Sequence, residues 1–210
     1  MPDDPDLESA YALETAEDNL RLYRTWARTY DTDFVEATTY RFPEIVVRTY
    51  LESGGGEPCL DVGCGTGALA EHFPDGTVLD GLDLSPEMLD VARGKGRYRT
   101  LIEANLKEPL AIPNASYAGL VSSGTFTHGH VGAEAVLELV RILAPGARAV
   151  ITVRPQVWMA MGFEPCFEAL ASDGLVTPPH LAEELVYADP ERAPEGHGQD
   201  TGYIVTFRRL

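Results

Sequence analysis

Only two lysines, Lys95 and Lys107, occur in 210 residues, and 33 acids face 16 lysines and arginines, a formal charge of −17. No stretch carries the clustered basic residues that neutralise phosphates, so a nucleic-acid partner is not expected. Cysteine is scarce too. Cys59, Cys64 and Cys166 are odd in number and show no Cys-x-x-Cys spacing, which argues against a disulfide framework and a zinc site. No apolar run approaches the roughly 18 residues of a membrane helix, and the opening Met-Pro-Asp-Asp-Pro-Asp lacks the basic and apolar regions of a secretory signal. The expectation is a cytoplasmic protein with no membrane, nucleic-acid or metal partner. Long linkers are missing as well: Ser53-Gly-Gly-Gly56 only joins a helix to a strand, and 1–210 reads as one domain.

What is present begins at residues 60–70, Leu-Asp-Val-Gly-Cys-Gly-Thr-Gly-Ala-Leu-Ala, an apolar strand end with one acid, three glycines at alternate positions and a helix-forming run. Gly63, Gly65 and Gly67 remove side chains from a bend at a strand's carboxyl end, so that backbone amides can lie against a ligand. A phosphate-gripping P-loop requires Lys then Ser or Thr after its last glycine, and Ala68-Leu69 stands there instead. A nucleoside triphosphate is therefore not expected. Gly63, Gly65 and Ala68 also satisfy the dinucleotide form Gly-x-Gly-x-x-Gly/Ala, with Asp83 about 20 residues on. On spacing alone a dinucleotide and another nucleoside ligand stay level.

Three further segments accompany the turn. In Gly81-Leu-Asp-Leu-Ser-Pro-Glu-Met-Leu-Asp-Val-Ala-Arg93 a strand ends in an acid, and Ser85 caps a helix whose first position is Pro86. Asp80 lies inside that strand and reads as solvated or structural. Glu103-Ala-Asn-Leu-Lys-Glu-Pro-Leu110 places an amide at Asn105, which taken alone reads as a turn former before Pro109. The run from Val136 to Val153 is read as an amphipathic helix stopping at Pro145-Gly146, followed at once by a Val/Ile-rich strand.

With these four segments in this order, residues 58–155 resemble the class I S-adenosylmethionine-dependent methyltransferases, whose first motif is an acid, any residue, then Gly-x-Gly-x-Gly. The resemblance implies that Asp61, Gly63, Cys64 and Gly65 hold the amino-acid end of S-adenosylmethionine, leaving S-adenosylhomocysteine as product. Asp83 then accepts the ribose hydroxyls, and Leu84, Met88 and Leu106 offer apolar surface to the nucleoside. Asn105 stands where the family usually carries Asp against the adenine amino group; its side-chain oxygen still accepts a hydrogen bond. Ser122 is placed beside the cofactor.

Strand-like runs near 58–62, 77–83, 98–103, 117–122 and 147–154 alternate with helices, the pattern of a parallel doubly wound sheet. Runs at 182–188 and 202–208 are joined by a stretch too short for a crossover helix and should pair antiparallel. The resemblance implies an α/β, Rossmann-like, seven-stranded sheet in the order 3-2-1-4-5-7-6 with the last strand antiparallel. Before it, helices are expected from Ala16 to Tyr30 and from Pro43 to the glycines, residues 1–50 forming a lid over a core at 56–210.

Trp26-Ala-Arg-Thr-Tyr-Asp-Thr-Asp33, Tyr40-Arg-Phe-Pro43 and Thr127-His-Gly-His-Val131 are similar to the Williams-Beuren syndrome chromosomal region methyltransferase-like group. That resemblance implies a small-molecule acceptor and a lid placing Trp26 and Tyr30 near the methyl-bearing sulfur, where aromatic rings favour a cation. Asp31 reads as a helix cap, or else as a group orienting an acceptor hydroxyl. His128 and His130, after the fourth strand, are the candidate bases for an acceptor that must lose a proton. The expected assembly is a monomer or homodimer. Two other functions fit the turn: a non-catalytic binder of the same nucleosides, and a nicotinamide-dependent oxidoreductase, which would lack its Tyr-x-x-x-Lys pair.

Overall fold

In the first strand, Cys59–Val62 (β1), all four residues are buried. Successive side chains point to opposite faces, so such a strand needs cover on both. The cover is present in the computed structural model, which describes residues 27, 29–127 and 131–210. On one face Leu60 and Val62 join Leu82, Leu120, Ile151 and Val205 in a cluster with Val136, Leu139, Trp158, Phe163 and Phe167. On the other, Cys59 joins Leu79, Val121, Val150 and Ile204 against Ile45, Val46, Val47, Tyr50 and Phe73.

The remaining strands are β2 (Leu79–Asp83), β3 (Thr100–Glu103), β4 (Tyr117–Phe126), β5 (Leu143–Val153), β6 (His180–Leu185) and β7 (Thr201–Arg208). Their order is β3-β2-β1-β4-β5-β7-β6, as expected, with β7 antiparallel to both neighbours. The helices are α1 (Phe42–Glu52), α2 (Pro86–Lys95), α3 (Glu134–Ile142), α4 (Pro155–Ala160) and α5 (Phe163–Ser172), and a π-helical turn, Asp31–Glu36, precedes them. Among the described residues no helix is long and apolar enough to cross a membrane. The helix expected from Ala16 lies mostly outside the described residues.

Four local expectations are corrected. The helix-forming run after the glycines is only a 3-10 turn, Leu69–His72, because Phe73 precedes Pro74 and is extended (ψ 150). Helix α3 ends at Ile142, three residues early: Leu143 is already extended (ψ 136), and Pro145 lies within β5. Between β3 and β4, where alternation called for a helix, the described chain has none, and Pro109 and Pro113 fall in that stretch. Strand β4 continues to Phe126 through a register shift after Ser122, with Gly124 at φ 81.

Candidate cofactor site

The carboxyl ends of β1 and β2 lie side by side, and the turn between β1 and the 3-10 segment is fastened to β2. The amides of Gly63 and Cys64 both donate to the Leu82 carbonyl, at 2.7 and 3.0 Å. Asp83 Oδ2 accepts the Gly65 amide at 2.8 Å and its Oδ1 accepts the Ser85 amide at 2.9 Å. Ser85 then caps α2, its hydroxyl accepting from the Met88 amide at 3.2 Å, with Pro86 next, as the sequence indicated. One carboxylate thus joins the glycine turn, the end of β2 and the start of α2.

The glycines differ in what surrounds them. A Cβ on Gly63 (φ 68) would sit 2.0 Å from Thr125 Oγ1, whereas one on Gly65 (φ 51) would meet nothing within 4 Å. Gly63 serves packing of β1 against β4, and Gly65 leaves room on the cavity wall. Gly63→Ala is expected to cost about 2–4 kcal/mol, from left-handed backbone and overpacking together. Thermal unfolding would register that as a fall of roughly 5–15 °C, with an unchanged midpoint contradicting it.

The cavity has a volume of about 170 Å³. Its wall from β1, β2 and the segments that follow them includes Asp61, Gly63, Cys64, Gly65, Asp83, Leu84 and Met88 of α2, and beyond β3 it includes Asn105, Leu106 and Lys107. Ser123, Gly124 and Thr125 contribute from β4, with Tyr30, Val35, Tyr40 and Pro43 from the N-terminal side. All the cofactor residues expected from the sequence therefore meet in one place, with two exceptions. Ser122 is fully buried and outside the cavity wall, its hydroxyl donating to the Val62 carbonyl at 2.7 Å. Trp26 lies outside the described residues, as do His128 and His130.

Charge is concentrated at Asp61 and Asp83. Asp61 is 1% exposed, and burial, opposed by a bond from the Tyr98 hydroxyl and reinforced by the Asp83 charge, pushes its carboxyl up to about 7. Its Oδ1 is buried without a hydrogen-bond partner. An acceptor left unsatisfied in this way carries a desolvation cost that a donor placed in the cavity would relieve. Burial likewise raises Asp83, against the backbone donors that favour its ionised form. Asp80 is structural, as expected: burial opposes its ionisation, but Arg99, at 2.6 and 2.9 Å, and the Tyr117 hydroxyl hold it below the ordinary carboxylate range.

Four contacts between residues distant in sequence were not anticipated. Tyr98 donates to Asp61 Oδ2 at 2.7 Å, and the Tyr40 and Ser123 hydroxyls are 3.1 Å apart. Asp31 caps no helix; its carboxylate accepts from Thr66 in the glycine turn and from Lys95 at the end of α2. Asn105 forms a local turn, its Oδ1 accepting the Lys107 amide at 3.0 Å, which leaves a second lone pair.

Residues 60–151, which hold both carboxylates and the whole turn, match the methyltransferase domain family. The chain carries a methyltransferase domain. Among curated relatives, human methyltransferase-like protein 27 is 32% identical over 155 residues, 70% of this chain and 62% of that protein. An O-methyltransferase of Pyrenophora dematioidea is 30% identical, over 57% of this chain and 47% of its own length. The chain thus spans less than two thirds of either relative. In fold it is similar to the [4+2]-cyclase SpnF, with a TM-score of 0.65 at 18% identity, covering 94% of this chain and 97% of that one.

Proposed function

We propose that the protein is an S-adenosylmethionine-dependent methyltransferase acting on a small-molecule acceptor at O, N or C. The observation carrying this reading is the pair of carboxylates at the ends of adjacent strands, Asp61 with an unsatisfied buried oxygen and Asp83 anchored to the glycine turn. The pair fits an aminoacyl nucleoside: Asp61 Oδ1 would accept an ammonium proton, and Asp83 the ribose hydroxyls. Leu84, Met88 and Leu106 would cover the base, with Asn105 at its amino group. A pyrophosphate between two carboxylates would meet repulsion, which disfavours the dinucleotide.

When bound, S-adenosylmethionine supplies an electrophilic methyl group on a sulfonium. The chain's own contribution is alignment, and fixing two reactants in line supplies about 7–11 kcal/mol of a barrier. The β4 end and the Tyr30, Tyr40 and Pro43 side of the cavity would hold the acceptor, with Tyr30 and Trp26 near the sulfonium. His128 and His130 follow β4 in sequence and would take the proton from an acceptor that must lose one. The same reading has residues 1–50 as a lid on a single domain, acting in the cytoplasm as a monomer or homodimer.

Because one fold hosts different reactions, transfer itself must be measured. Methyl-labelled S-adenosylmethionine incubated with the protein and a metabolite extract should label a small molecule. Tight binding without transfer to any acceptor would instead favour the non-catalytic binder. Calorimetry showing affinity for a reduced nicotinamide dinucleotide and none for S-adenosylmethionine would overturn the proposal.

A further inference from the structure

Asp61 has one hydrogen-bond partner among the described residues, and that partner is outside the cavity. Tyr98 lies in the short connection between α2 and β3, and its hydroxyl donates to Asp61 Oδ2 at 2.7 Å while Oδ1 stays unsatisfied. We propose that Tyr98 is a positioning residue, which holds the Asp61 carboxylate with one oxygen turned to the amino-acid end of the cofactor. The inference rests on the methyltransferase reading and goes beyond it, since Tyr98 is absent from the cavity wall and reaches the site through Asp61, which lines it.

The ring's seat is built for this bond. A Cβ on Gly67 would lie 2.9 Å from Tyr98 Cε2, and one on Gly81 3.1 Å from Cδ1, so the ring occupies space cleared by a glycine of the turn and a glycine of β2. The neighbours on either side are pinned. Arg97 donates to the Ala70 and Phe73 carbonyls beyond the turn, and Arg99 pairs with Asp80 of β2 while its amide donates to the Leu79 carbonyl at 2.7 Å. The hydroxyl therefore has little freedom to follow a carboxylate that rotates away.

The bond also favours the ionised carboxylate. Facing Asp61 are Asp83 from β2, whose charge opposes ionisation, the Cys64 thiol of the turn, pushed well up by burial, and the Tyr98 hydroxyl. No arginine, lysine or histidine among the described residues forms an ion pair with it. Without Tyr98 the carboxyl would gain protons at still higher pH, and the form that pairs with an ammonium would be scarcer near neutrality.

The test is Tyr98→Phe, which keeps the ring and removes one oxygen. Titration with S-adenosylmethionine should show about tenfold weaker binding at pH 7.5, with the pH of half-maximal binding moved upward. Adenosine, which lacks the amino-acid end, should bind Tyr98→Phe and wild type alike. In an Asp61→Asn background the same substitution should change nothing further. Unaltered affinity and pH profile, equal weakening for adenosine, or equal loss in both backgrounds would each overturn the inference. Failure of the wild type to bind S-adenosylmethionine would instead overturn the methyltransferase reading.

Discussion

Asp61→Asn is expected to weaken S-adenosylmethionine binding about a hundredfold at pH 8 while making the ligand-free protein more stable. The amide keeps the shape of the carboxylate and still accepts the Tyr98 hydroxyl, but it cannot pair with an ammonium, and a charged hydrogen bond in a buried site is worth about 1.5–3 kcal/mol. The stability gain follows from the carboxyl at about 7 in the fold against 3.8 ordinarily. Between those values the folded protein binds more protons than the unfolded chain, so stability is greatest at low pH and declines as pH rises from about 4 to about 7. Removing the group should return up to about 4 kcal/mol at pH 8, read as a thermal midpoint several degrees higher. Binding to the wild type should strengthen about tenfold from pH 6 to pH 8 as Asp61 ionises, and the asparagine variant should lose that dependence. Calorimetry across this range checks both; a variant that binds normally would remove Asp61 from the site.

Asp83→Ala should do more damage to binding, roughly 100- to 1000-fold, because two effects coincide. The ribose loses its acceptor, and the amides of Gly65 and Ser85 lose the carboxylate that fixes the turn to α2. Adenosine separates the two acids: its affinity should collapse with Asp83→Ala and survive Asp61→Asn, since only the latter serves the amino-acid end. Equal loss of adenosine in both variants would show that the two carboxylates do not divide the ligand as proposed.

Much of this site was legible in the sequence because its parts are local. The alternate glycines, the acid two residues before them and Ser85-Pro86 each express a backbone requirement met within a few residues. The strand order was legible only by resemblance, since periodicity gives strands and not their neighbours. What escaped depends on partners far apart in the chain. Asp61 and Tyr98 are separated by 37 positions, Asp31 and Thr66 by 35, Tyr40 and Ser123 by 83. Nothing in the pattern around Tyr98 marks its hydroxyl as the donor to a carboxylate, although Gly67 and Gly81 record the room its ring takes. Ser122 misled for a related reason: it stands where the pattern ended the strand, but β4 runs on to Phe126 and the buried hydroxyl donates to the Val62 carbonyl. At Pro74 and Pro145 the helical pattern ran past residues whose backbone was already committed to extension.

The N-terminal margin of the cavity owes its shape to the last quarter of the chain. Thr39 accepts at its carbonyl and its hydroxyl from the amides of Ala188 and Asp189, Arg41 donates to the Val186 carbonyl, and Arg192 reaches the Glu36 carbonyl. The nucleoside half, by contrast, is complete within residues 61–107. The opposite rim is closed by a segment some 150 positions downstream of Thr39. Substitutions at the exposed positions among residues 188–192 would therefore reach that rim while leaving the hydrogen bonds of Asp61 and Asp83 in place.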